Sequence, residues 1–172
     1  MAMRVLIGVP SYGDGKAAFW RSLDDLRQFS SSRRISTELC VLKGCYVDHG
    51  RNLLASRAKN DAPGFDYLFF LDDDMAFGRD TLVRLMGHGK DITVANYYRK
   101  QPPHVPVVSV LDGAGNLRPI HVDPAGHFDL KRVNCGGTGI CLVKVDVFRK
   151  MAFPWFVNEY SLPLEGEAPE GM

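Results

Sequence analysis

The sequence predicts an α/β protein: an open mixed sheet of Rossmann-like type with a small antiparallel extension. Three observations carry this. Strand and helix patterns alternate through the first hundred residues, which calls for parallel strands with helices on the faces of the sheet. The run Tyr67-Leu68-Phe69-Phe70-Leu71 is apolar without alternation, as a strand buried on both faces must be. After Gln101-Pro102-Pro103 the alternation stops, and short strand candidates between turn residues replace it.

Taken in order, residues 4–9 (Arg4-Val5-Leu6-Ile7-Gly8-Val9) form a buried strand closed by Pro10-Ser11-Tyr12-Gly13. Phe19, Leu23 and Leu26 recur at helical spacing and predict a helix over about 16–29, ended by Ser30-Ser31-Ser32. Residues 37–42 are a second strand. A helix over about 50–60 carries Leu54 and Ala58 on one face and stops before Pro63-Gly64. The apolar strand 67–71 follows, then a helix over 81–86 ended near Gly87 and Gly89, then a strand over 91–98. Residues 105–111, 117–122 and 128–133 are short strand candidates, with Asp112-Gly113-Ala114-Gly115-Asn116 as a hairpin turn between the first two. A strand over 140–143 and a short helix over 145–150 close the pattern. From Pro163 onward no apolar periodicity remains, and residues 161–172 read as a loop or a truncated tail.

The 172 residues fit one domain, and 45% hydrophobic with 24% charged residues is an ordinary globular composition. A net charge of +1 gives no basis for capture of nucleic acid or of an anionic membrane. No apolar run reaches the roughly 20 residues of a transmembrane helix. The N-terminus lacks the long apolar region of a signal peptide, so a cytoplasmic protein is expected. Cys40, Cys45, Cys135 and Cys141 form no Cys-x-x-Cys pair, which predicts reduced, mostly buried thiols rather than a zinc site.

The chemistry concentrates at Asp72-Asp73-Asp74, directly after the apolar strand. Adjacent carboxylates repel, and burying them unpaired is costly. Hard cations such as Mg2+ and Mn2+ prefer oxygen ligands and commonly use one or two carboxylates plus substrate phosphates. In extended backbone Asp72 and Asp74 share a side, and Asp73 points elsewhere. The plainer reading is a solvated acidic turn capping the next helix, which does not account for acids set on a buried strand. Gly13-Asp14-Gly15-Lys16-Ala17-Ala18 has the letters of a dinucleotide fingerprint, but Pro10-Ser11-Tyr12 separates it from the strand and no acid ends the second strand. It is not a phosphate-binding P-loop either, since Pro10 stands where the first glycine belongs and Ala17 replaces Ser or Thr. Arg51-Asn52 opens the second helix, where a guanidinium suits a diphosphate. Cys135-Gly136-Gly137-Thr138-Gly139 is a turn where glycines serve either close approach to a ligand or a tight corner. The five histidines have no metal spacing.

Together these segments resemble the family 2-like glycosyltransferases of GT-A fold. The resemblance runs from about residue 4 to 156. It rests on the first strand with Pro10-Ser11-Tyr12, on Gly50-Arg51-Asn52, on Leu71-Asp72-Asp73-Asp74-Met75 as the Asp-x-Asp motif, and on Gly136-Gly137-Thr138-Gly139-Ile140. It implies a single domain, with a nucleotide-sugar-binding half over about 4–100 and an acceptor-side part over about 101–160. The donor it implies is a nucleotide-diphosphate sugar, held by Pro10, Ser11, Tyr12, Arg51, Asn52, Asp72 and Asp73. Asp72 and Asp74 would ligate Mn2+ or Mg2+, and Gly136, Gly137 and Thr138 would face a glycan, lipid or protein acceptor. Family members carry a Glu-Asp pair as base and a later His on the metal. Here Glu165 stands near that place without the following Asp and is the candidate base, in a truncated or degenerate member. Two other readings stand beside this one. The first is a non-catalytic nucleotide-sugar-binding module. The second is a nucleotidyltransferase, which the Pro-Ser-Tyr turn disfavours because those enzymes resemble one another in a Gly-rich basic loop there.

Overall fold

The computed structural model describes residues 3–121 and 130–157. The first strand, β1 (Met3–Ser11), is buried from Val5 onward and is an inner strand of a five-stranded sheet. It pairs in parallel with β2 (Ile35–Lys43) on one side and β3 (Tyr67–Leu71) on the other, with Ser11 opposite Lys43 and Gly8 opposite Phe70. Beyond β3 lies β7 (Ile140–Lys144), antiparallel to it with Leu71 opposite Ile140, and then β4 (Ile92–Val94) at the edge, antiparallel to β7. The order is β2-β1-β3-β7-β4. A separate hairpin joins β5 (Ser109–Leu111) to β6 (Leu117–Pro119).

Alternation within β1 and β3 sets the two layers. Val5, Ile7, Val9, Tyr67, Phe69 and Leu71 face α1 (Ala17–Ser32) and α3 (Thr81–Gly87) through Phe19, Leu23, Leu26, Leu82 and Leu85. Leu6, Leu68 and Phe70 face the other layer, α2 (Val47–Asn60) and α4 (Val145–Lys150), through Leu54, Ala55, Ala58 and Phe148. Because both faces are covered, the β3 run has no polar position, and all five of its residues are buried. At about 25 cal/mol per Å2 of apolar surface removed from water, this double burial is the main force holding the sheet.

Several boundaries differ from the sequence expectation, each for a physical reason. The second helix begins at Val47, three residues early, because Gly50 is accommodated inside it. A Cβ on Gly50 would lie 2.8 Å from the Cys45 sulfur, so glycine lets the first turn of α2 close onto β1 and Pro10. The first helix continues through Ser30-Ser31-Ser32, and the Ser32 hydroxyl bonds back to the Phe29 carbonyl at 2.7 Å. The expected strand 91–98 shrinks to Ile92–Val94 because its antiparallel partner β7 begins only at Ile140, whose carbonyl accepts the Ala95 N–H at 3.0 Å. In the expected strand 105–111 only Ser109–Leu111 pairs in a ladder, since Pro106 cannot donate to one. Residues 130–133 form no strand, and the rest of the 128–133 candidate lies outside the described residues. The largest difference is β7: it comes from the part read as an antiparallel extension, yet it lies inside the main sheet, between β3 and β4. Among the described residues no helix is long and apolar enough to cross a membrane.

Candidate functional site

The carboxyl ends of β1, β2, β3 and β4 and the start of antiparallel β7 meet along one edge of the sheet. Ligands bind at that edge in open α/β sheets. There β3 delivers the three aspartates. The Asp72 N–H donates to the Gly139 carbonyl at 2.9 Å, tying the triplet to the loop before β7, and the Met75 N–H closes a turn on the Asp72 carbonyl at 3.2 Å.

The three carboxylates take three different partners. Asp72 Oδ1 accepts from Arg51 Nη2 at 2.7 Å. Asp73 Oδ2 lies 2.5 Å from the Ser11 hydroxyl, which also lies 2.7 Å from the Gly13 carbonyl and can give its single proton to only one of them at a time. Asp74 pairs with Lys100. The Asp73 carbonyl further accepts the Lys16 N–H at 3.0 Å. The middle aspartate therefore buckles the β1 turn to the end of β3, while Asp72 and Asp74 engage cations.

Arg51 lies one turn into α2, not at the helix start as expected from sequence. Its side chain is only 9% exposed, and Nε is buried without a hydrogen-bond partner. A buried guanidinium that gives one bond to one carboxylate retains unused donors. Burial pushes the Asp72 carboxyl above its ordinary value, and Asp74 and Asp73 add to this, while Arg51 opposes it. Burial also pushes the Cys141 thiol up to about 12, against a smaller lowering by Arg51.

The other residues singled out in the sequence fall into place as follows. Pro10 is buried, with its Cβ close to Gly50 of α2. Tyr12 is 65% exposed at the rim. Asn52 is turned away from the aspartates, and its amide is spent on the chain after α4: Nδ2 donates to the Phe156 carbonyl at 2.7 Å, and Oδ1 accepts the N–H groups of Trp155 and Phe156 at 3.0 and 3.1 Å. Gly136 and Thr138 border a cavity of about 1490 Å3 along the β4 edge, which the aspartates and Arg51 do not line. Glu165 lies outside the described residues.

Sequence reasoning missed two residues, both in the connector after β4. The Tyr97 hydroxyl accepts the Gly139 N–H at 3.0 Å, and Lys100 is the partner of Asp74. The signal was present in Tyr97-Tyr98-Arg99-Lys100, a polar aromatic stretch that strand propensity absorbed.

Among the described residues no three His, Cys, Asp or Glu side chains converge as a metal cage. Divalent cations commonly take one or two carboxylates beside phosphate oxygens, and Asp72 and Asp74 are the residues of this edge that would serve one. The Asp74–Lys100 pair, 41% and 62% exposed, belongs to the class of surface ion pairs contributing ~0–1 kcal/mol, so a cation can displace it.

No family model matches the sequence, and no curated protein matches it. Among solved structures the chain is similar to 4-diphosphocytidyl-2C-methyl-D-erythritol synthase from Anaerococcus prevotii DSM 20548. Sequence identity is 8% and the TM-score 0.46, covering 86% of this chain and 74% of that chain.

Proposed function

We infer that this protein binds a nucleotide-diphosphate sugar with a divalent cation at the carboxyl edge of its sheet, and that it is a glycosyltransferase. The observation that carries the binding half is the union, on one edge, of Asp72 and Asp74 with the buried, under-used guanidinium of Arg51. Cation-binding oxygens and an anion-binding guanidinium side by side match the alternating charges of a metal-bound diphosphate. The transfer half is supported by the resemblance of the Asp-x-Asp and Gly-Gly-Thr-Gly segments to the GT-A glycosyltransferases.

In this reading Arg51 donates its free N–H groups to diphosphate oxygens while keeping Asp72 ionised. Asp72 and Asp74 hold the cation, and Ser11 with Asp73 keeps the β1 turn in register for the base and ribose. A bound Mn2+ or Mg2+ would supply positive charge to offset the negative charge developing on a leaving diphosphate. Gly136, Gly137 and Thr138 border the acceptor side.

A thermal-shift panel of nucleoside diphosphates with and without Mn2+ identifies the base. With the best of these, Asp74→Ala is expected to lower Mn2+-dependent affinity at least tenfold in titration calorimetry, and an unchanged affinity removes the metal site. Release of nucleoside diphosphate from a sugar nucleotide, fast with acceptor or slow with water, separates a transferase from a non-catalytic binding module. Binding without any turnover favours the module.

A further inference from the structure

The Tyr97 phenol is held by both sides of the loop before β7. Its oxygen accepts the Gly139 N–H at 3.0 Å. A Cβ on Gly139 would lie 2.7 Å from that oxygen and 3.0 Å from Asp72 Oδ2, and a Cβ on Gly137 would collide with the same hydroxyl. Two glycines are thus what admit the ring, and Tyr97 Oη and Asp72 Oδ2 both border the place that a Cβ on Gly139 would take.

The hydrogen-bond capacities of the two groups are complementary. Asp72 Oδ1 is taken by Arg51, and among the described residues no hydrogen bond reaches Oδ2. The Tyr97 oxygen is used as an acceptor, which leaves its O–H hydrogen to donate, and no described acceptor takes it. Burial, first, and the nearby Asp72 and Asp74 charges hold the phenol protonated, above its ordinary value, against lowering by the Gly139 N–H and Arg51. A donor and an acceptor on either side of that place suit a group that both accepts and donates, as a hydroxyl does and an ionised phosphate oxygen does not.

We propose that Tyr97 is a ligand-binding residue that, with Asp72 Oδ2, recognises a ring hydroxyl of the bound nucleotide sugar, on either its ribose or its transferred sugar. The proposal rests on the binding reading above and adds Tyr97 to it as the residue that reads a ring hydroxyl. Tyr97 donates to the hydroxyl oxygen, and the hydroxyl donates to one lone pair of Asp72 Oδ2, whose other lone pair is left for the cation.

The experiment compares wild type with Tyr97→Phe by titration calorimetry in Mn2+. The probes are the nucleoside diphosphate that binds best, its 2′-deoxy and 3′-deoxy forms, and its glucose conjugate. If the ribose is read, wild type prefers the ribonucleoside diphosphate over one deoxy form by about five- to tenfold, and Tyr97→Phe abolishes that preference. If the sugar is read, the glucose conjugate alone loses about five- to tenfold in the variant. Hydroxyl discrimination is a readout that a packing role for the ring does not move. Should Tyr97→Phe not fold, Gly137→Ala, whose methyl meets the Tyr97 hydroxyl, is expected to give the same loss. Equal affinities of wild type and variant for all four probes overturn the role of Tyr97 and leave the binding reading intact. Failure of wild type to bind any nucleoside diphosphate in Mn2+ overturns both.

Discussion

Asp72 is a carboxylate whose environment argues against its own charge. Burial raises its pKa first, Asp74 and Asp73 raise it further, and Arg51 pulls it back. The folded state therefore holds this proton more tightly than the unfolded chain does. Its stabilising contribution is full below the ordinary aspartate range and is lost as pH rises through the raised value. A cation on the ionised carboxylate offsets that loss. The gain in melting temperature from Mn2+ plus nucleoside diphosphate should accordingly grow as pH rises above the ordinary aspartate range and then level off. Asp72→Asn should flatten the profile, and a wild-type gain constant between about pH 4 and 7 would contradict the assignment. The acids themselves were legible in the sequence, because three aspartates after a buried strand stand out by composition. Their partners were not. Ser11 lies 62 positions from Asp73 and Lys100 lies 26 from Asp74, separations that no local pattern encodes.

At the scale of elements, α2 shows how one helix serves two sites. Adjacent residues on a helix point about 100° apart, so Arg51 reaches Asp72 while Asn52 reaches the backbone of Trp155 and Phe156. Sequence adjacency made the two look like one ligand-binding pair, and helical geometry separates them. Asn52→Ala removes three hydrogen bonds and leaves polar backbone groups of the 155–156 segment without partners. A loss of about 2 kcal/mol is expected from urea denaturation, at roughly 1 kcal/mol per bond less the helix propensity gained. A change under about 0.5 kcal/mol would mean that water replaces the amide there. The helix itself was legible from Leu54 and Ala58. Its start was not, because Gly50 reads as a boundary until its close approach to Cys45 is known.

For the molecule as a whole, the alternating order of elements and the doubly buried strand were sufficient to give the α/β class and the parallel β2-β1-β3 core. The position of β7 was not legible, because strand order depends on which edge is open when the chain returns, and hydrophobicity does not record that. The buried interior makes a measurable claim about the thiols. Cys135 is exposed, while Cys141 on β7 is buried with its thiol pushed up to about 12. Iodoacetamide at about pH 8 should label Cys135 in the native protein and Cys141 only as urea unfolds the sheet, because the thiolate is the reactive form. Native labelling of Cys141 at a comparable rate would place β7 outside the core.

The seat of β7 between β3 and β4 also has a consequence for how the protein is made. Until residues 140–144 leave the ribosome, the apolar strand Tyr67–Leu71 has one unpaired edge, and Asp72 lacks the Gly139 carbonyl that anchors its N–H. Some seventy residues of synthesis separate the two, about 4–15 s at ~5–20 residues per second. For that interval the nascent chain carries an open, fully apolar strand edge, the feature most prone to pairing with a stranger. Chaperone demand during translation should therefore peak between β3 and β7. The proposed ligand site cannot form before that interval ends, since its aspartates and their glycine loop arrive on opposite sides of it.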